Sequence, residues 1–400
     1  MRRRGHPDIV IVGGGVVGLS AALALAQAGL DVALVEAAQP SPWQAQCPDL
    51  RVYALAPDNA ALLDALGVWP GIADARANAY RRMRVWDAAG GGELAFDADT
   101  FGRAELGWIV EHGLLVDRLW QAVIAAGVRL DCPARIAGLE QDAGGVRLQL
   151  EDGSRIGATL AIAADGAEST LRGLAGIEVD RQDYGQRGLV AYVTTAHAHE
   201  DTAWQRFLPG GPLAFLPCSD VDARAARGHR SSIVWTVPDG EASRLLALDE
   251  AEFNTALTRA FDSRLGQVTL QSTRAAFGLR RQLARDYVRG RVIAVGDAAH
   301  VVHPLAGQGV NLGLRDIAAL RDSVVAARAS RLDWSAPDRL ARWARSRKSD
   351  NAMAAHAFDG INRIFGSDAV ALTLLRGPLL GLAGRMPPLA HLLWRRASGR

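Results

Sequence analysis

A glycine-rich loop near the start of the chain lies between an apolar run and an amphipathic segment. Residues 8–12, Asp-Ile-Val-Ile-Val, are rich in β-branched side chains and predict a buried parallel strand. Apolar residues then recur at helical spacing until Gly29, and a second apolar run at residues 32–35 ends at Glu36. This strand–helix–strand order predicts a doubly wound α/β fold.

The loop has the spacing Gly13-x-Gly15-x-x-Gly18. Glycines at these positions permit a tight turn, and the N-terminus of the following helix presents free N–H groups to a pyrophosphate. Glu36 is placed to accept hydrogen bonds from an adenosine ribose, and its charge disfavours a 2′-phosphate. The pattern therefore predicts that these four residues bind the ADP part of NAD or FAD, without distinguishing between the two.

A second glycine-rich stretch, residues 296–316, follows an apolar run at residues 291–295. Asp297 can accept hydrogen bonds from polyol hydroxyls, and a helix that starts near Gly309 offers N–H groups and the positive end of its dipole. Pro304, Gly307 and Gly309 keep side chains away from the plane of a ring, and Asn311 can brace the loop. We expect one loop to bind the pyrophosphate and the other to bind the ribityl chain and the flavin, which favours FAD.

A third segment links these two loops. A predicted strand at residues 160–164 is followed by Asp165-Gly-Ala-Glu-Ser169-Thr-Leu-Arg172. Asp165 would end its strand at the cofactor edge of the sheet, and Ser169 would cap the next helix. An ordinary strand-to-helix turn is the alternative interpretation.

The middle of the chain has a different pattern. From about residue 189, strand-like pieces follow one another without helices between them, which predicts a mostly antiparallel sheet. The predicted domains are therefore a discontinuous FAD-binding domain, a substrate domain inserted into it and a helical C-terminal region: 1–75, 98–180 and 280–347; 76–97 and 181–279; and 348–400.

Composition excludes several classes of function. Forty-five basic residues nearly balance 43 acidic ones, so the chain lacks the charge of a nucleic-acid-binding protein. Three dispersed cysteines predict neither a disulfide framework nor a metal site, which fits the cytoplasm, and the N-terminal apolar run is too short for an export signal. Glycine and proline interrupt the apolar residues after Lys348, so we expect no transmembrane helix there.

Three motifs, taken in their order along the chain, resemble those of a known family. The series G-x-G-x-x-G, D-G-x-x-S-x-x-R and G-D-A-A-H with P-x-x-G-Q-G-x-N resembles the FAD-dependent aromatic hydroxylases of the para-hydroxybenzoate hydroxylase fold. Residues 303–316, 50–55 and 107–111 are most similar to the ubiquinone-biosynthesis hydroxylase branch. One departure stands out, because His112 occupies a position where that family has asparagine, which puts a flavin contact there in doubt.

The resemblance implies roles for several residues. Arg51 would lie on the flavin or pyrophosphate side, Asp165 near FAD and a transient nicotinamide, and Asp297 at the ribityl chain. The flavin loop would place its residues beside the reacting ring: Pro304, Gly307, Gln308 and Gly309. His300 and His303 belong to the same loop, where structural hydrogen bonding is favoured over direct proton transfer.

The resemblance also implies an activity. NADH or NADPH would reduce the bound FAD, and O2 would form a C4a-hydroperoxyflavin that hydroxylates the ring of a polyprenylated phenol in ubiquinone biosynthesis. Alternatives are another aromatic substrate, a prenyl-chain reductase of related fold and a non-catalytic flavoprotein scaffold. A halogenase is disfavoured because the only lysine is Lys348 and no W-x-W motif occurs.

The composition of the C-terminal region is relevant to where the protein would bind a lipid substrate. Residues 348–400 combine apolar side chains with arginines, among them Arg395 and Arg396. The segment could lie on a bilayer surface, dock on a partner of a biosynthetic complex or pack on its own domain. The protein is accordingly expected in the cytoplasm, with peripheral contact at the inner face of the membrane as one arrangement.

Overall fold

The structure is a computed structural model, and it describes residues 6–88, 90–220, 227–302 and 309–366. The strands within these residues are β1 Ile9–Val12, β2 Val32–Val35, β3 Val52–Leu55, β4 Ala77–Tyr80, β5 Arg82–Asp87, β6 Gly90–Asp97, β7 Gly107–Glu111, β8 Arg129–Asp131, β9 Ile136–Gln141, β10 Val146–Leu150, β11 Arg155–Ala158, β12 Leu160–Ala163, β13 Val179–Thr195, β14 Thr202–Leu208, β15 Gly211–Pro217, β16 Arg230–Pro238, β17 Val268–Leu270, β18 Ala275–Ala284, β19 Val288–Arg289, β20 Val292–Ala294 and β21 His300–Val301. The helices are α1 Val16–Gln27, α2 Pro57–Ala65, α3 Trp69–Arg76, α4 His112–Ala125, α5 Thr170–Leu174, α6 Asp239–Ala247, α7 Glu250–Ala260, α8 Gly309–Ala329 and α9 Pro337–Gly366.

A six-stranded sheet forms one half of the molecule, with the order β19-β20-β12-β1-β2-β8. Its five strands from β20 to β8 are parallel, and only the edge strand β19 is antiparallel. Strand β1 pairs with β2 on one side and β12 on the other, and all four of its residues are buried. A strand covered on both faces needs a continuous apolar sequence, which residues 9–12 supply.

The helices of this half cover the sheet. Helix α1 packs against both α4 and α8, and its residues from Val16 to Leu25 are buried with the exception of Val17. The chain returns to this half after the second sheet, because β20 enters the six-stranded sheet beside β12 and α8 follows it. The predicted apolar positions of α8 are all buried: Val310, Leu314, Ile317 and Val324.

The second sheet has nine strands, in the order β21-β18-β13-β16-β15-β14-β5-β6, with β17 paired to β13. Every pairing is antiparallel except that of β14 with β5, so the predicted mostly antiparallel sheet is confirmed. Successive side chains of a strand point to opposite faces. Phe215 and Trp235 pack in an apolar core with Phe253 of α7, whereas Leu216 and Val234 belong to the other face.

Two small sheets complete the fold. Strands β3, β7 and β4 form one of them, and β9, β10 and β11 form the other. Helix α7 begins with a capping box, in which Asp249 accepts from the amide of Glu252 and the Glu252 side chain accepts from the amide of Asp249. Among the described residues, no helix is long and apolar enough to cross a membrane.

Candidate active site

A cavity of about 1060 Å³ lies between the six-stranded and the nine-stranded sheets. Ligand pockets usually measure roughly 300–1,000 Å³, so this one can hold a long cofactor and leave room beside it. The predicted residues that line it are Gly13, Gly15, Glu36, Arg51, Asp165, Asp297 and Gly309. Four of them follow the carboxyl ends of the parallel strands β1, β2, β12 and β20, which is where open α/β sheets bind ligands.

The glycine loop packs backbone against backbone and leaves open space at the start of α1. Gly13 has φ +110°, and a Cβ added to it would collide with the Ala164 carbonyl oxygen. A Cβ on Gly18 would collide with the Gly13 carbonyl oxygen, so this glycine packs the helix against the loop and does not line the cavity. Gly15 has no atom within 4 Å of such a Cβ and caps α1 without a side-chain hydrogen bond. The first turn of α1 therefore offers free N–H groups to an anion.

Glu36 lies directly after β2 at the edge of the glycine loop. Its Oε2 accepts a hydrogen bond from the Gly14 amide, and its Oε1 accepts one from the Ala38 amide at 3.1 Å. These contacts hold the carboxylate at the cavity wall, beside the loop that would bind phosphates. A carboxylate at this point can accept hydrogen bonds from ribose hydroxyls.

The segment after β12 joins two parts of the cavity. Ser169 caps α5 as predicted, since its Oγ accepts from the Arg172 amide at 3.0 Å, and the same hydroxyl donates to Asp165. The buried guanidinium of Arg172 donates to the carbonyls of Ala167 at 2.8 Å and Ala298 at 3.0 Å. Arg172 thus ties the Asp165 loop to the turn that contains Asp297.

That turn, residues 296–298, is fixed from below by a buried carboxylate. Asp316 accepts from the Gly296 amide at 3.2 Å, from Arg347 Nε at 2.9 Å and from Asn351 at 3.0 Å, and its Oδ2 lies 2.6 Å from His300 Nε2. Burial alone would raise the pKa of Asp316, but His300 and Arg347 overcome this and hold the pKa below its ordinary value. His300 is fully buried, which agrees with a structural role.

Asn311 lies in the first turn of α8 and is fully buried. Its Oδ1 accepts from the Ala56 amide at 2.9 Å and from the Asn59 side chain at 2.8 Å, and its Nδ2 donates to the Ala54 carbonyl at 2.8 Å. The amide group therefore braces α8 against residues 54–59, behind the cavity. The sequence suggested that Asn311 braces the flavin loop, whereas its side chain in the structure is occupied by protein partners at residues 54–59 and does not line the cavity.

Arg51, Tyr53 and His112 form a polar section of the cavity wall. The Tyr53 hydroxyl lies 3.1 Å from His112 Nδ1, and the Arg51 guanidinium lies 5.3 Å from the centre of the Tyr53 ring. Burial, reinforced by Asp297 and opposed by Arg51, raises the pKa of Tyr53 above its ordinary value. Burial and Arg51 lower the pKa of His112, so its imidazole is neutral near neutral pH.

The end of the cavity against the nine-stranded sheet is mostly apolar, with Arg280 of β18 as the charged exception. Its lining side chains come from β13, β15, β16, β18 and the stretch around β3: Val190, Leu216, Val234, Ala275, Phe277, Leu50 and Val52. Phe277 is 46% exposed, so an aromatic ring stands at the edge of the cavity. This end suits an apolar, ring-bearing ligand.

Some predicted residues lie outside this description. Pro304, Gly307, Gln308 and His303 fall in residues 303–308, outside the described part of the chain. No cluster of His, Cys, Asp or Glu in the described ranges could hold a metal ion. Sequence reasoning missed Arg347 and Tyr53, because neither belongs to a glycine-rich motif or stands at a strand end next to one.

Comparison with known proteins agrees with this site. The family described as "FAD binding domain" matches residues 6–349. The chain is 37% identical over 377 residues to the 3-demethoxyubiquinol 3-hydroxylase of Escherichia coli, covering 94% of this chain and 93% of that protein. It is 37% identical over 398 residues to a ubiquinone hydroxylase of Rhodospirillum rubrum, with coverages of 98% and 89%. It is 31% identical to the human mitochondrial ubiquinone biosynthesis monooxygenase, with coverages of 98% and 92%.

Solved structures show the same fold at lower identity. A p-nitrophenol 4-monooxygenase from Pseudomonas putida superposes with a TM-score of 0.77 at 20% identity, over 99% of both chains. Klebsiella pneumoniae HpxO, solved with FAD and uric acid, gives a TM-score of 0.76 at 22% identity, over 98% of this chain and 97% of that one. With the glycine cradle, the strand-end carboxylates and these relatives in place, the chain belongs to the family of FAD-dependent aromatic-ring monooxygenases, its relatives include ubiquinone-biosynthesis hydroxylases, and its cofactor is FAD.

Proposed function

We propose that this protein hydroxylates the aromatic ring of a polyprenylated phenol in ubiquinone biosynthesis, with NADH or NADPH and O2 as co-substrates. FAD supplies the redox and oxygen chemistry when it is bound. The chain supplies the binding groups: Gly13, Gly15 and Glu36 would hold the ADP half, and Asp297 the ribityl chain. Asp165, which already accepts from Ser169, would lie near the flavin and the incoming nicotinamide.

The apolar end of the cavity is the observation that carries this proposal. Among the described residues that line it, most of those from the nine-stranded sheet present aliphatic or aromatic surface, with Arg280 the charged exception, whereas Glu36 and Arg135 contribute polar groups. A small charged substrate would lose its hydration at the apolar end without regaining hydrogen bonds there. A phenol with an isoprenoid chain would gain by burying apolar surface instead.

The relatives support the same substrate class. Three of them carry ubiquinone hydroxylation or biosynthesis in their names, at 31–37% identity over nearly the whole chain. The first of these is named for 3-demethoxyubiquinol, which makes a late quinol intermediate the first substrate to test.

The decisive experiment supplies the FAD-loaded protein with a polyprenyl phenol, reduced nicotinamide and isotopically heavy O2. We expect oxygen uptake, nicotinamide oxidation that depends on the phenol, and one heavy oxygen atom in the ring of the product. A saturated prenyl chain without oxygen uptake would instead identify a reductase. Absence of any phenol-dependent nicotinamide oxidation would favour a scaffold.

A test in cells complements this assay. Cells that lack the gene should accumulate a polyprenyl phenol one hydroxylation short of the quinone, as measured by mass spectrometry of their lipids. The normal gene should restore the quinone and a copy with Asp297→Ala should not. An unchanged quinone level, in cells without a redundant enzyme, would reject this pathway.

Location follows from the same proposal. A polyprenyl phenol resides in a bilayer, so we infer a cytoplasmic enzyme that reaches its substrate at the inner face of the membrane. Residues 348–400 are the segment proposed to contact the membrane or a partner of a biosynthetic complex, because they combine arginines with apolar residues.

A further inference from the structure

Tyr53 and His112 stand in the cavity wall as a hydrogen-bonded pair. The Tyr53 hydroxyl lies 3.1 Å from His112 Nδ1, and the two rings meet edge to face with their centroids 5.7 Å apart. Tyr53 is 8% exposed, while His112 is half-buried. Both side chains line the cavity, and the imidazole is the more exposed of the two.

The backbone fixes this pair in place. The His112 amide donates to the Arg51 carbonyl at 2.9 Å, and strand β3 pairs with β7 in the register Val52 to Glu111. Asp49 closes the arrangement, because its carboxylate accepts from the amides of Arg51 at 2.9 Å and Gly113 at 3.1 Å. The imidazole is therefore held by a sheet, a helix start and a side-chain hydrogen bond.

The hydrogen bond allows the neutral imidazole to expose an N–H donor. Tyr53 keeps its hydroxyl proton at any ordinary pH, since its pKa is raised. The Tyr53 hydroxyl can donate to Nδ1 of a neutral His112, and in this tautomer the imidazole proton is on Nε2. None of the described residues forms a hydrogen bond with Nε2. In this tautomer the pair offers one N–H donor that the described protein leaves unused.

The position of the pair indicates the ligand. Asp297 is near enough to act electrostatically on the Tyr53 phenol, and Arg51 lies over the Tyr53 ring. The glycine loop, Glu36, Asp297 and the Tyr53–His112 pair all line the same cavity, so a cofactor that extends from the loop to Asp297 shares this cavity with the pair. The middle of FAD is its phosphate-bearing chain, which accepts hydrogen bonds and carries negative charge.

We propose that the Tyr53–His112 pair is a fixed hydrogen-bond donor to the phosphate-bearing chain of FAD, and that protonation of His112 tightens FAD binding as the pH falls. Protonated His112 keeps its partner, because the Tyr53 hydroxyl can reverse and accept from Nδ1–H. The imidazolium then adds a positive charge beside the phosphates. This inference concerns the cofactor and does not depend on the identity of the phenol.

The direction of the pH effect follows from linkage. Bound phosphates favour the protonated imidazole, so the pKa of His112 is higher with FAD than without it. FAD therefore binds more tightly at a pH below these two pKa values than at a pH above them. The gain in FAD affinity is complete below the pKa of His112 in the FAD-free protein, and it is lost above the pKa of His112 in the complex. The charged and titratable groups that face His112 and its partner are Arg51, Asp49, Tyr53 and Asp297.

The test titrates FAD-free protein with FAD and follows the quenching of flavin fluorescence at about pH 6 and about pH 8. We expect the Kd of the wild type to be about fivefold lower at the lower pH. His112→Asn should bind FAD with nearly the same Kd at both values. His356→Asn, at an exposed site on α9 away from the cavity, should keep the wild-type dependence.

Tyr53→Phe separates the two halves of the proposal. It frees the imidazole to rotate and exchange tautomers, so FAD binding should weaken by about threefold at the higher pH while its pH dependence remains. Unchanged affinity in Tyr53→Phe would refute the fixed donor. A pH dependence that persists in His112→Asn would refute the role of protonation.

A measurement on the unaltered protein guards against variants that fail to fold. With ¹⁵N-labelled histidine, NMR should show His112 protonated on Nε2 in its neutral form, with a titration midpoint that rises when FAD binds. A midpoint that stays or falls, or a proton on Nδ1, would overturn the proposal. These readouts need no substrate, so a failure here is distinct from a failure of the proposed hydroxylation.

Discussion

The Nε atom of Arg347 lies 2.9 Å from Oδ1 of Asp316, which connects helix α9 to the turn that carries Asp297. The two side chains are 8% and 0% exposed. Arg347 also donates to Asp350 at 2.8 Å and to Asn351 at 3.0 Å. Arg347, which lies outside every glycine-rich motif, therefore helps to set the geometry of the turn that carries Asp297.

Arg347→Met should destabilise the protein and weaken FAD binding. The substitution leaves Asp316 buried with less compensation, and breaking a buried ion pair costs about 3–5 kcal/mol. Urea unfolding and FAD titration measure the two effects. Arg342→Met is the control, because its pair with Asp338 spans 3.9 Å between side chains that are 72% and 78% exposed, and it should change stability little. Equal effects of both variants would contradict the role assigned to Arg347.

Asp316 should contribute to the acid sensitivity of the fold. Its pKa in the folded protein is below the ordinary 3.8, so its stabilisation is present above that value and is lost as the pH falls through the folded pKa. Asp316→Asn should lower the free energy of unfolding at neutral pH and flatten its decline below 3.8. Urea unfolding from neutral pH to below 3.8 measures both effects. Asp338→Asn, a substitution at an exposed position, is the reference. An Asp316→Asn curve parallel to the wild type would exclude this contribution.

The glycine loop predicts a separation between folding and cofactor binding. Gly18→Ala forces a Cβ into the Gly13 carbonyl, so we expect a loss of about 1–3 kcal/mol in stability, even without FAD. Gly15→Ala meets no protein atom within 4 Å and should leave the FAD-free protein nearly as stable. Its methyl group would instead occupy the approach of the phosphate and weaken FAD binding by about tenfold or more. Thermal melting without FAD, combined with FAD titration, distinguishes the two variants.

The apolar end of the cavity should control the phenol and not the cofactor. Ala275 lines the cavity and is exposed, so Ala275→Phe can fill the space without overpacking the core. We expect the KM for a polyprenyl phenol to rise by about tenfold or more while the Kd of FAD stays constant, since one well-placed group in a pocket changes affinity by about 1–3 kcal/mol. Ala275→Ser is the matched control and should behave like the wild type. A change confined to FAD binding would place the phenol elsewhere.

Removal of residues 367–400 tests the proposed contact with the membrane. The described cavity is built entirely from residues before this segment, so FAD should remain bound. Activity on a polyprenyl phenol embedded in vesicles should fall, whereas activity on a short-chain phenol in detergent should persist. Normal activity on the vesicle-bound phenol would refute the membrane role.

Local sequence predicted the local parts of the site. The strand of residues 9–12, the glycine loop and the cap at Ser169 each depend on neighbours within a few positions, and their residue types carry the signal. The three motifs also placed their residues along one cavity because the carboxyl ends of parallel strands share one edge of a sheet.

Long-range partners could not be predicted in the same way. Asn311 reaches residues that are more than 250 positions away, and no periodic pattern marks Ala54 or Asn59 as its partners. Arg347 is one of several arginines in α9, and nothing in the sequence distinguishes it from the others. The contact between Tyr53 and His112 depends on the register of β3 against β7, which the sequence of either strand alone does not specify.

The strand order of the six-stranded sheet has a consequence for the synthesis of the protein. Strand β20, which leads into the Asp297 turn, adds to the sheet next to β12, and that turn is held by residues of α8 and α9. The glycine loop and Glu36 leave the ribosome first, but the turn that carries Asp297 cannot be held in place until residues up to Asn351 have emerged. FAD is therefore expected to bind only near the end of translation or after release of the chain. Chains that terminate early should contain no bound FAD.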